Sequence, residues 1–177
     1  MMKGPSRTLH QSYHDYHYGF PIHDDNELFG RLIMEINQAG LSWETILKKQ
    51  EHFRKAYDNF NIIKIAGYTD ADRERLLKDA GIIRNKLKLN TAIENAKTIL
   101  DLQNEFGSFE KWLEGHHPKT KEEWVKVFKK TFSFTGGEIV GEFLMSIGYL
   151  KGAHLENCNV YQQILNTSPM WLKKQLL

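Results

Sequence analysis

The sequence predicts an all-α protein, and three observations lead there. Apolar residues recur at three- and four-residue steps through most of the 177 residues, a period that belongs to helices. No stretch shows the strict apolar–polar alternation of a half-buried strand. The 4 prolines stand outside the periodic segments, where they interrupt no helical hydrogen-bond ladder. A chain of this length suffices for one domain with a real core, so a single helical domain over residues 1–177 is expected.

The first clear helix runs from Glu27 to Ala39. Leu28, Phe29, Leu32, Ile33 and Ile36 fall on one face, Asp24 and Glu27 form a capping box, and Gly40 supplies the stop. A second is expected from Ser42 to Phe60, where Trp43, Ile46, Leu47, Phe53, Tyr57 and Phe60 repeat at helical spacing and Lys48, Lys49 and Arg54 take the polar face. Thr69 with Asp72 caps a third, which passes Leu76 and Leu77 and stops at Gly81. The chain restarts almost at once: Leu89, Ala92, Ile93, Ala96, Ile99 and Leu100 share a face, so the helices on either side of Gly81 form a tight hairpin. Shorter helices are expected over Phe109–Leu113, through Trp124, Val127 and Phe128, and through Ile139, Val140, Phe143 and Leu144. Gly115–Lys121 reads as a loop. In the tail, Trp171, Leu172, Leu176 and Leu177 suit docking onto the body.

Composition bounds the function. Hydrophobic residues at 41% and charged residues at 26% exclude a disordered chain. The 24 Lys and Arg against 22 Asp and Glu leave a net charge of +2, so any basic surface must be local. Cys158 is the only cysteine, which excludes an intrachain disulfide and a multi-Cys metal site and fits a reducing interior. No apolar run approaches the ~18 residues of a membrane span, and Met1–His10 lacks the apolar stretch of a signal peptide. The expectation is a cytoplasmic protein with no membrane contact.

Three units carry candidate chemistry. Around Gly81, in Asp79-Ala80-Gly81-Ile82-Ile83-Arg84, a glycine lets the backbone approach another chain, and free N–H groups at the next helix start suit a phosphate. Arg84, Lys86 and Lys88 would add local positive charge, although an ordinary helical hairpin with a solvated basic face gives the same pattern. The second unit is Tyr13-His14-Asp15 together with Glu35 and Trp43, which flank the turn Gln38-Ala39-Gly40-Leu41-Ser42. Glu35 falls in an apolar-rich stretch where a carboxylate is costly unless paired, or else sits at the edge of the apolar face. The third is His154 and Cys158, four apart as on one helix face, with His14 a possible third ligand for zinc; alone this spacing is weak evidence.

In this order the three units resemble the DNA-3-methyladenine glycosylase I family. The resemblance rests on Tyr13-His14-Asp15 with Gly19 and Pro21, on Gln38-Ala39-Gly40-Leu41-Ser42-Trp43 running into Leu47-Lys48-Lys49, and on Asp79-Ala80-Gly81-Ile82-Ile83-Arg84 with Lys88. It continues more weakly through Phe134-Thr135-Gly136, Phe143 and Gly148 to His154 and Cys158, so it spans residues 13–158.

The resemblance implies a helix-hairpin-helix DNA glycosylase fold and an enzyme that flips 3-methyladenine out of alkylated double-stranded DNA and hydrolyses its N-glycosidic bond. It implies that Glu35 is the catalytic carboxylate and hydrogen-bonds the flipped base, that Tyr13 touches the base from the side and that Trp43 stacks on it. Tyr18 keeps an aromatic where the family has Trp. Gly81 and Ile82, with Arg84, Lys86 and Lys88, would hold the DNA backbone, and Leu41 would fill the vacated stack. Water would be the nucleophile, with no Schiff-base lysine, in a monofunctional and monomeric enzyme. The competing reading is a DNA-binding module that recognises alkylated bases without excising them.

The chain also departs from the family pattern. The usual Cys-x-Trp is missing from Gly4-Pro5-Ser6-Arg7-Thr8-Leu9-His10-Gln11-Ser12, so three of the family's four zinc ligands remain: His14, His154 and Cys158. Either His10, His17 or another group completes the set, or the zinc is absent and His14 packs against the C-terminal segment by hydrogen bonds. The expectation adopted is no tightly bound zinc, and no cofactor for the chemistry. Where the family carries small hydroxyl residues and Phe-Met-Gln, this chain has Gly137, Glu138, Glu142, Phe143, Leu144 and Met145, so Glu142 adds a second carboxylate near the pocket and opens the question of base specificity.

Overall fold

The computed structural model describes residues 8–173, and the regular elements among them are helices. They are α1 (Leu9–Tyr16), α2 (Asp25–Gln38), α3 (Trp43–Ala56), α4 (Ile62–Ala66), α5 (Asp70–Lys78), α6 (Lys86–Phe106), α7 (Phe109–His116), α8 (Lys121–Thr131), α9 (Gly137–Ser146) and α10 (Tyr161–Asn166). Short 3₁₀ turns cover Asp58–Phe60 and Met170–Leu172.

Helix α2 is the axis: it packs against α3, α6, α7 and α9, and Leu28, Phe29, Leu32, Ile33 and Ile36 are almost wholly buried. Its first turn holds its neighbours as well as itself. Asp24 accepts the Glu27 N–H at 2.9 Å, while Asp25 accepts the N–H groups of Phe109 and Glu110 at 2.8 and 3.1 Å and so caps α7 from outside. The expected capping box is only half present, because the Glu27 side chain turns to Arg54 of α3 in a two-pronged pair at 2.7 and 2.8 Å. Beyond α2, the rings of Phe109, Trp112, Phe128 and Phe143 from α7, α8 and α9, with Phe132 just after α8, pack in edge-to-face, tilted and stacked pairs and form the aromatic half of the core.

Helix α3 ends earlier than its apolar spacing predicts. Asp58, Asn59 and Phe60 take left-handed φ values of 50°, 57° and 57°, and the turn folds the Phe60 ring down onto Gly30 of α2. A Cβ at Gly30 would lie 2.4 Å from the Phe60 ring, so the glycine is required for that approach. Three elements escape a periodicity argument. Helix α1 buries only Tyr13, α4 has five residues and sits on α6 through Ile62 and Ile65, and α10 buries Ile164. In the tail the Trp171 N–H donates to the Gly148 carbonyl at 3.1 Å, which docks it as expected; Leu172 is half exposed, and Leu176 and Leu177 lie outside the described residues.

Gly30→Ala is expected to destabilise the protein by about 1–3 kcal/mol through overpacking, read as a lower urea midpoint at unchanged m-value. An unshifted midpoint would show that the Phe60 ring yields without cost.

Candidate functional site

The site forms where α2 gives way to α3. Gly40 takes the left-handed φ of +81° that ends α2, the Leu41 N–H closes the turn on the Gln38 carbonyl at 2.7 Å, and Ser42 caps α3 by accepting the Thr45 N–H at 3.2 Å. Trp43 is thereby fixed as the first residue of α3, one turn of helix and one loop away from Glu35. Leu41 projects from the loop with 39% of its surface exposed.

Behind the loop lies a cavity of about 660 Å³, lined by Tyr13, Tyr18, Glu35, Leu41, Trp43 and Glu142 among others. That volume is in the range of small-molecule sites. The Tyr13 ring stands 5.2 Å from Trp43, tilted by 58°, and 5.7 Å from Tyr18, so three aromatic rings make a continuous wall. Trp43 Nε1 is buried without a hydrogen-bond partner, a donor left for an incoming group. Arg31 covers the Tyr13 ring at 5.2 Å and donates to the Ser146 carbonyl at 3.2 Å. It is a part of the site that sequence reasoning missed, since an arginine in the middle of α2 reads as solvated surface.

Glu35 is buried, with 4% of its surface exposed. Burial pushes its carboxyl up to about 8, Arg31 opposes the rise and Glu142 adds to it. Tyr18 donates its hydroxyl to Glu142 Oε2 at 3.1 Å. Glu35, Tyr13, Tyr18, Trp43 and Leu41, separated in sequence, therefore meet at one cavity.

The expected backbone grip is divided. Residues 79–85 join α5 to α6, and Arg84 and Lys86 are exposed there. Gly81 is needed for packing and does not take a left-handed φ: a Cβ would lie 2.8 Å from His52 Nδ1, and its N–H is already donated to Asp79 Oδ1 at 2.7 Å. Ile82 is 3% exposed and its side chain belongs to the core. Lys88 departs from the expected DNA contact. Its ammonium is turned inward and donates to the carbonyls of Asn37 and Ala39 at 2.9 and 2.7 Å, because these end-of-helix acceptors have no partner within α2. In compensation, Lys48, Lys49 and His52 of α3 line a second hollow beside Ala80 and Gly81, where the two lysines add positive charge that only the tertiary structure places there.

His14, His154 and Cys158 also come together, with ligand atoms within 4.8 Å of one another. Cys158 Sγ lies 3.5 Å from His14 Nε2 and 3.5 Å from His154 Nδ1. Zinc bonds of about 2.3 Å to sulfur and about 2.0–2.1 Å to nitrogen at a tetrahedral angle place S and N about 3.5 Å apart, so both sulfur–nitrogen separations fit. Outer partners aim both rings: His154 Nε2 meets the Tyr18 carbonyl at 2.6 Å, and His14 Nδ1 meets Asp15 Oδ1 at 2.8 Å. Among the described residues neither His10 nor His17 belongs to this cluster; His10 lines the main cavity and His17 stacks near Tyr13.

Comparison with known proteins places this geometry. A family model for methyladenine glycosylases matches residues 4–127. DNA-3-methyladenine glycosylase 1 of Escherichia coli K12 is 33% identical over 172 residues, covering 86% of this chain and 91% of that protein. The Haemophilus influenzae DNA-3-methyladenine glycosylase is 33% identical over 171 residues, covering 86% and 92%. Among solved structures, the Staphylococcus aureus 3-methyladenine DNA glycosylase I superposes with a TM-score of 0.78 at 31% identity, covering 90% of this chain and 93% of that one. A Y16F variant of 3-methyladenine DNA glycosylase I in complex with 3-methyladenine gives 0.79 at 31% identity, with 90% and 94% covered. The helical fold, the cavity between α1, α2 and α3, and the extent of these matches lead to one conclusion: this chain belongs to the methyladenine glycosylase family.

Proposed function

We propose that this protein is a monomeric, monofunctional DNA repair glycosylase of the cytoplasm that flips 3-methyladenine out of alkylated duplex DNA and hydrolyses its N-glycosidic bond. The observation that carries the reading is a cavity roomy enough for a purine, with a buried carboxyl group and an aromatic wall, opening beside an exposed leucine at the tip of a tight turn. Among the described residues no helix is long and apolar enough to cross a membrane.

The chemistry follows from the lesion. Methylation at N3 makes adenine cationic and already a good leaving group, so selective capture is most of the task. Trp43 and Tyr13 offer ring faces that attract a cation. In the empty cavity at neutral pH, burial keeps Glu35 protonated. Arrival of a positive base favours the ionised carboxylate, which then holds the cation in preference to neutral adenine. Flipping costs a few kcal/mol, least for a damaged base, and Leu41 would occupy the gap left in the stack. Water attacks the sugar carbon as the bond to the base breaks, the base leaves neutral, and the proton that the water loses passes to solvent. Among the described residues the cavity lining includes no lysine, which supports hydrolysis without an imine intermediate and without strand cleavage. Arg84 and Lys86, with Lys48 and Lys49, would meet the phosphates. The chemistry needs no cofactor. His14, His154 and Cys158 would hold zinc as a clamp between α1 and the C-terminal segment. Three protein ligands fall short of the closed set of a structural site, so binding is expected to be loose.

Wild-type protein is expected to release free 3-methyladenine from methylated duplex, measured by chromatography. Trp43→Ala should lower kcat/KM about 10–100-fold, the size of one lost base–aromatic stack, and Glu35→Gln about 10-fold or more, as for a lost hydrogen bond to a charged group. Binding of alkylated DNA without any base release would overturn the enzyme reading.

Glu35 also makes stability depend on pH. The folded chain keeps that proton up to about 8 and the unfolded chain releases it near 4.5, so the native state binds more protons in between and loses stability as pH rises through that window. Glu35→Gln cannot ionise, so its urea midpoint should match wild type at the acid end and exceed it at the alkaline end. A constant difference across the range would show that Glu35 is not buried as an acid.

For zinc, elemental analysis after dialysis against a chelator should find well under one ion per chain. Retention of one zinc per chain would show that a fourth ligand closes the site.

A further inference from the structure

The cavity has a second acid whose work is not accounted for by capture on Glu35 and Trp43. Glu142 comes from α9, which packs on α2, so the two carboxyl groups reach one cavity from different helices. Glu142 is half-buried, and its Oε2 accepts the Tyr18 hydroxyl at 3.1 Å. Tyr18 is itself held from behind, where its carbonyl meets His154 Nε2 at 2.6 Å. The acid is therefore anchored, through a fixed ring, to the same aromatic wall that ends at Trp43.

The charges around it are one-sided. Among the described residues Glu35, Glu138 and Glu142 line the cavity and no lysine or arginine does. Glu138, one turn earlier on α9, is 94% exposed and leans towards Lys121 at 3.9 Å, so its charge is largely answered outside. His10 and His14 stand on the α1 side, and Arg31 is spent on the Tyr13 ring and the Ser146 carbonyl. Glu142 is left facing the space where a base would sit. It is close enough to Glu35 to raise that carboxyl.

Resting on the glycosylase reading, we infer that Glu142 is a second specificity-determining carboxylate, which faces the positive charge of the flipped base and makes the pocket select N-alkylated purine cations over neutral purines. A lone buried acid discharges itself by keeping its proton, and a second, half-buried carboxyl group on the cavity wall adds another acceptor for the cation. Tyr18 fixes its position, so the charge is read at one place in the cavity.

Glu142→Gln tests this, because its amide oxygen can still accept the Tyr18 hydroxyl while the charge is gone. Two measurements are made on wild type and variant: the Kd for methylated and unmethylated duplex by tryptophan fluorescence, and kcat/KM for 3-methyladenine release as a function of pH. The expected result is a Kd for methylated duplex weakened about 10-fold with the unmethylated duplex unchanged, and a fall of kcat/KM of the same size. The rising limb of the pH profile should also move to lower pH, since Glu35 loses a repelling neighbour and keeps Arg31. A merely structural lesion would not move the limb in that direction. Glu142→Ser, which also removes the charge, serves if the amide variant fails to fold. Unchanged preference for methylated duplex and an unmoved limb overturn the inference. Absence of release by wild type overturns the glycosylase reading instead, and the two Kd values still decide whether Glu142 reads charge.

Discussion

The site depends on one costly placement, a carboxyl group on the inner side of a helix that is enclosed on nearly every face. Glu35 sits in α2 among Ile33, Met34 and Ile36, all at most 8% exposed, where an ionised acid would lose most of its hydration. The fold tolerates it by letting it keep a proton and by stationing Arg31 one helical turn earlier. The same enclosure that makes the acid expensive makes any cation beside it strongly held, since charge interactions grow as water is excluded. For this to work α2 must not move, and its polar residues are assigned to that end. Asp25 caps α7, Glu27 grips Arg54, Asn26 accepts the Ile62 N–H at 3.0 Å, and the carbonyls at its far end are held by Lys88.

Lys88 ties two functions together. It lies in the first turn of α6, just after the hairpin, and its ammonium anchors Asn37 and Ala39, which lead directly into Gly40 and Leu41. On the other side of the hairpin Lys49 of α3 donates to the Ala80 carbonyl at 3.1 Å. The segment that would hold phosphates is thus bonded to both helices that carry the base pocket. A load on the DNA backbone reaches the Leu41 turn through two short hydrogen bonds, without passing through a flexible loop.

Much of this was legible in the sequence, and the limits have physical causes. Local signals worked: Asp24 and Thr69 cap helices where expected, α3 starts within one residue of the expected Ser42, Gly40 stops α2, and the periodic face of α2 is the core. Errors arose wherever tertiary contact overrode a local pattern. Phe60 continued the helical spacing of α3, yet three left-handed residues bring it to Gly30. Glu27 matched a capping box, yet a guanidinium 27 residues away offered a stronger partner. Lys88 looked like one more basic residue on a hairpin, because nothing local reveals that carbonyls from 51 and 49 residues upstream require a donor. The Tyr18–Glu142 contact spans 124 residues and has no local signature at all.

The histidine and cysteine cluster bears on the pocket through α1. That helix has eight residues and buries only Tyr13, too little apolar surface to hold a short helix in one orientation by itself. His14, the next residue, meets Cys158 and lies edge-on to His154 at 4.5 Å, while His154 also fastens the Tyr18 carbonyl. Two of the three rings in the aromatic wall, Tyr13 and Tyr18, are therefore positioned by residues from the C-terminal segment. As a hydrogen-bonded cluster these three residues orient the wall against which a base would stack. Loss of His154 would release Tyr18 and with it the fixed position of Glu142.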